Sequence, residues 1–105
     1  MIVYNTTFQI DRDILDDCLT YIKEEYLPAA IASGSLSKPV LRRILHAHNE
    51  EGESYAVQFH VANTDVLNQW LSSEGNRIVQ ALVDHFGDKI VGFTTLLEEI
   101  EWEKG

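Results

Sequence analysis

The chain has 105 residues, enough for one domain and too few for two independent cores. Hydrophobic residues make up 45%, an ordinary globular share that argues against disorder. Eight basic against seventeen acidic residues leave a formal charge of -9, which argues against nucleic acid or an anionic membrane as the main partner, since both require a basic surface.

Residues 2–10 alternate: Ile2, Tyr4, Thr6, Phe8 and Ile10 share one face, and Val3, Asn5, Thr7 and Gln9 the other. This predicts a strand, and with no basic segment before it the N-terminus does not read as a signal peptide. Asp11 or Asp13 is the expected cap of a first helix, whose stripe is Ile14, Leu15, Cys18, Leu19, Ile22 and Tyr26. Pro28 can open a further short turn through Ile31, and Gly34 is a natural stop.

The period returns to two after Lys38. Val40, Arg42, Ile44, His46 and His48 alternate with Leu41, Arg43, Leu45 and Ala47. The polar loop Asn49–Glu53, with Gly52, signals a hairpin into a third strand over 54–62. Asn63 or Thr64 caps a second helix carrying Val66, Leu67, Trp70 and Leu71. Ser73-Glu74-Gly75-Asn76 is expected to interrupt or kink it before Ile78, Val79, Leu82, Val83 and Phe86 resume the stripe. Gly87 ends it, and a last strand runs from about Lys89 through Phe93, Thr95 and Leu97, with room to continue to Trp102.

The order strand, helix, strand, strand, helix, strand predicts a single α+β domain over 1–105. Its plan is the ferredoxin-like βαββαβ sandwich, with a four-stranded antiparallel sheet and both helices on one face. With the helices on the Tyr4/Phe8/Tyr55/Phe59 side, the open face is expected to carry Val3, Asn5, Thr7, Gln58 and His60, together with residues of strands two and four. Domains of this plan often pair two such faces as a dimeric α+β barrel, so a homodimer is expected.

The outer strands sharpen that expectation. Strand two holds the basic residues Lys38, Arg42 and Arg43, and the tail after strand four holds Glu98, Glu99, Glu101 and Glu103 with Ile100 and Trp102 interleaved. Residues 99–105 are therefore expected to add to a second copy's strand-two edge, with Arg42, Arg43, Glu98, Ile100 and Trp102 at the interface.

Little else carries chemistry. Cys18 lies within an apolar stripe and reads as a small buried hydrophobe, which together with the absence of any other cysteine suggests a reducing, cytoplasmic setting. His46 and His48 are spaced as a metal-ligating pair on a strand, but two donors fall short of the three or four that a site needs. No metal or cofactor is therefore expected. Asn5, Gln58 and His60 form a polar trio that could bind a small molecule or hydrogen-bond across a dimer. His85 reads as a cap at a helix end, and Trp70 as a core residue that could also wall a pocket. No nucleophile elbow, phosphate loop or HExxH helix is present.

Met1-Ile2-Val3-Tyr4-Asn5, the turn Phe86-Gly87-Asp88-Lys89 and the strand Phe93-Thr94-Thr95-Leu96-Leu97-Glu98 resemble a bacterial "domain of unknown function" family of stand-alone proteins of about this length. That resemblance implies a ferredoxin-like fold and no particular activity. More distantly, the architecture is similar to antibiotic-biosynthesis monooxygenases and their haem-degrading relatives, which use an Asn on strand one with a Trp and a His on helix two. Asn5 and Trp70 match two of these, whereas Gln80 stands near the place of the histidine and His85 comes over a turn too late. The expected function is a homodimeric structural or small-molecule- or protein-binding module. The alternative is a small monooxygenase-like enzyme with a pocket between helix two and the sheet, beside Asn5 and Trp70.

Overall fold

A computed structural model of the chain describes residues 1–45 and 52–103, so His46, His48 and the Glu50/Glu51 loop lie outside the described residues. Four strands, β1 (Ile2–Asp11), β2 (Ser37–Arg43), β3 (Gly52–Val61) and β4 (Ile90–Glu98), form one antiparallel sheet in the order β2-β3-β1-β4. The hairpin pairs β2 with β3, the helical crossovers bring β3 and β4 to either side of β1, and the predicted plan is the one formed. Alternation decides the faces. Tyr4, Phe8 and Ile10 of β1 and Tyr55, Val57 and Phe59 of β3 are buried beneath the helices.

Each predicted helix is an arm of two α-helical pieces joined by a wider turn. The first arm follows a 3-10 turn, Arg12–Ile14, and consists of α1 (Leu15–Tyr21), a π-helical turn over Ile22–Tyr26, and α2 (Leu27–Ile31). The second consists of α3 (Thr64–Trp70), a π-helical turn over Leu71–Gly75, and α4 (Asn76–Phe86). At the end of each wide turn an N–H reaches five residues back, Leu27 to the Ile22 carbonyl and Asn76 to that of Leu71. The interruption expected at residues 73–76 is thus a widening, and the helical path continues through it.

Gly75 shows why the second arm widens there. A Cβ at that position would stand 2.3 Å from the ring of Trp70, so only glycine lets the turn close over the indole. Trp70 in turn meets Tyr4 edge-on at 6.0 Å, and Tyr4 stacks with Phe59 at 6.2 Å, which binds the second arm to the two central strands. The first arm inserts Cys18, Ile22, Tyr26 and Ala30 into the same core.

The caps follow the expectation on one arm and depart from it on the other. Asn63 accepts from the Val66 N–H at 2.9 Å, an N-cap bond of the expected kind. Asp11 occupies the position before the 3-10 turn without making a side-chain cap bond, and Asp13 pairs instead with Lys89 beside β4. That pairing holds the Asp13 carboxyl below its usual range, chiefly through the hydrogen bond from Lys89. β4 ends at Glu98. The last rung joins the Glu99 N–H to the Met1 carbonyl, and residues 100–103 extend past the sheet, exposed.

Candidate functional surface

The register of the strands lays the open face out in rows. The first holds His60, Val3 and Leu97, the second Gln58, Asn5 and Thr95, and the third Ala56, Thr7 and Phe93. Val40 and Arg42 extend the second and third rows onto β2. Three of the predicted ligand residues, Asn5, Gln58 and His60, therefore share this face, with Asn5 directly opposite Gln58. Asn5 is buried, its Nδ2 donating to the Thr7 hydroxyl at 3.3 Å, and Arg42 donates to Gln58 Oε1 at 2.8 Å.

Trp70, the fourth, is separated from them by the sheet. It packs on Tyr4, whose side chain leaves β1 on the opposite face from that of its neighbour Asn5. The hollow between the second arm and the sheet is a groove of about 490 Å³ beside β4. Tyr4, Leu67, Leu71 and Leu96 are among its walls, with the carboxamides of Asn68, Asn76 and Gln80. Among the described residues its lining includes neither Asn5 nor Trp70, and no charged residue.

The interface candidates lie at both outer edges. Arg42 and Arg43 are exposed on β2, where Arg43 lies 3.5 Å from Glu53 of its own chain. Glu98 closes β4, while Ile100 and Trp102 stand out in the tail, the latter 86% exposed. Sequence reasoning did not single out the apolar stripe of β4 on the open face: Val91, Phe93 and Leu97 are 57, 60 and 45% exposed. Their period-two spacing, 91, 93 and 97, is the signal that could have found them.

Burial pushes the Cys18 thiol up to about 11, so it is protonated and inert at neutral pH. In the last turn of α4, the His85 ring lies tilted against Tyr21 and edge-on to Phe86. Among the described residues, no group of three His, Cys, Asp or Glu side chains is placed to hold a metal.

The sequence matches the family described as "Domain of unknown function (DUF4286)" over residues 1–100, and the chain belongs to that family. No curated protein matches it. Among solved structures, HapK from Hahella chejuensis is similar with a TM-score of 0.71 at 11% identity, covering 100% of this chain and 98% of that one. An antibiotic biosynthesis monooxygenase is similar with a TM-score of 0.66 at 13% identity, covering 96% of this chain and all of the other. A dimeric ferredoxin-like protein of unknown function from Thermobifida fusca gives 0.56 at 17% identity, covering 92% of each chain. Identities this low carry the ferredoxin-like fold across and nothing finer.

Proposed function

We propose that this protein acts as a homodimeric binding module, with two open sheet faces packed together and each tail reaching the other copy's β2 edge. The observation that carries the reading is the stripe Val91, Phe93 and Leu97, three large apolar side chains exposed along β4, with Thr95 between the last two, on a sheet face that no described helix covers. Dimeric ferredoxin-like proteins are among its structural neighbours, which supports a homodimer. The acidic tail complements Arg42 and Arg43 in sign, and its Ile100 and Trp102 have apolar surface to bury.

Sedimentation velocity tests this directly. The full chain is expected to run as a dimer at micromolar concentration, and Phe93→Lys as a folded monomer with an unchanged circular dichroism spectrum. Removing residues 99–105 is expected to weaken the dimer. A full-length chain that stays monomeric overturns the proposal, and a fully dimeric truncation removes the tail's part in it.

The groove between the second arm and β4 favours a second reading, a small oxygenase-like enzyme acting on an uncharged molecule. It would need neither Asn5 nor Trp70 at the reacting atoms, since neither lines the groove. Where haem-degrading relatives carry a histidine, the groove wall presents Gln80, so titration with hemin is expected to leave the Soret band unshifted.

A further inference from the structure

We infer that Asn5 sets the register in which two copies meet across the open face, its carboxamide being fully hydrogen-bonded only in the dimer; this rests on the homodimer reading above.

Asn5 sits on the central strand β1, between Gln58 on β3 and Thr95 on β4. These three make a polar row across a face that turns apolar towards β4, with Leu97 in the row on one side and Phe93 in the row on the other. Asn5 is only 8% exposed, and its Oδ1 has no hydrogen-bond partner among the described residues. The Thr7 hydroxyl can serve only one end of the carboxamide, so whichever atom faces it, the other end is left over. A buried amide with an unmade bond is unfavourable in a lone chain, and hydrophobic pressure would favour an aliphatic residue there.

The remedy is within the row. Gln58 stands directly opposite Asn5, and its NH2 donates to no described group, while its Oε1 is held by Arg42. Arg42 is exposed on the β2 edge, where a carboxylate can take it over. Glu98, Glu99 and Glu101 of a second copy supply carboxylates, and charge complementarity within one sequence makes that copy the fitting occupant. Once Arg42 is engaged by such a group, Gln58 is free to turn its NH2 onto Asn5. The apolar stripe draws two faces together without direction, because apolar contact is indifferent to small slips. The polar row rewards the alignment that brings a tail carboxylate of the second copy onto Arg42, much as a buried Asn selects one register in a coiled coil.

The sign of one mutational effect tests the inference. Dimer dissociation constants are measured by sedimentation equilibrium at neutral pH for the full chain and for Asn5→Val, with circular dichroism as the check on folding. If the carboxamide is satisfied in the dimer, valine strands its donor, and the constant rises tenfold or more. If it remains unsatisfied there, valine removes a penalty, and an unchanged or lower constant overturns the inference while the homodimer stands. Gln58→Leu alters a half-exposed side chain and spares β1; it is expected to raise the constant too, and no change would count equally against the role. A wild type that is monomeric at every concentration leaves the face to another occupant, overturning the homodimer and this inference together.

Discussion

The two outer strands occupy equivalent places at the ends of the sheet and present opposite surfaces. β2 is irregular: its register with β3 shifts between Ser37 and Val40, Lys38 has a positive φ of 50°, Pro39 lacks an N–H, and Arg42 and Arg43 add charge. Each of these features discourages indiscriminate strand pairing. β4 keeps an unbroken register with β1 from Ile90 to Glu98, has no proline, and carries no charge before Glu98. One edge is therefore closed to unselective pairing and open only to a charge-matched strand such as the acidic tail, whereas the other has no such guard. A domain with such unequal edges has a built-in polarity, and that polarity indicates where a second molecule belongs.

Making β4 resemble β2 is the strongest way to break this contrast. Val91→Lys with Leu97→Lys places two charges in the exposed stripe, and self-association is expected to weaken by about two orders of magnitude, roughly 3 kcal/mol, in sedimentation equilibrium. The next test asks how firmly β4 is docked. A Cβ at Gly92 would lie 2.8 Å from the Phe8 ring, so Gly92→Ala is expected to cost about 1–3 kcal/mol in urea unfolding. A smaller response is expected on the protected edge. Arg43 and Glu53 form an ion pair whose side chains are 55 and 25% exposed, and Arg43→Ala should change stability by less than about 1 kcal/mol.

The smallest effect belongs to the Asp13–Lys89 pair near the start of β4. The folded-state pKa of Asp13 is lowered, so its contribution is present above the ordinary carboxylate range and is lost as pH falls through the folded value. That of Lys89 is raised, so its contribution is present below the ordinary lysine value and is lost as pH rises through the folded one. Lys89→Met should therefore flatten a shallow stability plateau between those limits, seen as melting temperature against pH. If the wild-type and variant profiles are parallel throughout, the pair contributes nothing to pH dependence.

Much of the fold was legible because strand and helix periods differ. The alternation of residues 2–10 and 54–61 assigned the buried faces, and Asn63 and Gly87 marked the ends of the second arm. The same alternation separates Asn5 from Trp70, since a helix resting on Tyr4 cannot also touch the residue after it. The pocket expected beside both Asn5 and Trp70 overlooked this: it would need the two side chains on one face of the sheet, and Trp70 packs on Tyr4, on the other face from Asn5. Three features depend on tertiary contact and were not legible. Gly75 looked like a helix breaker, because only the folded Trp70 ring shows what a side chain there would strike. Asp13 looked like a cap because its partner Lys89 is distant in sequence. The missing hydrogen bond of Asn5 depends on how Gln58 and Arg42 pack, which no spacing rule contains.

The wide turn at Leu71–Gly75 also governs the phase of the second arm. Trp70 and Leu82 are both buried, yet they stand twelve positions apart. At roughly 100° per residue an unbroken α-helix would point them about 120° away from each other, and one surplus residue in the turn reduces this to about 20°. The arm thus behaves as a straight helix with a single insertion. Relatives without that residue should carry the α4 stripe one position earlier, so an ungapped alignment through this turn would equate buried positions with exposed ones.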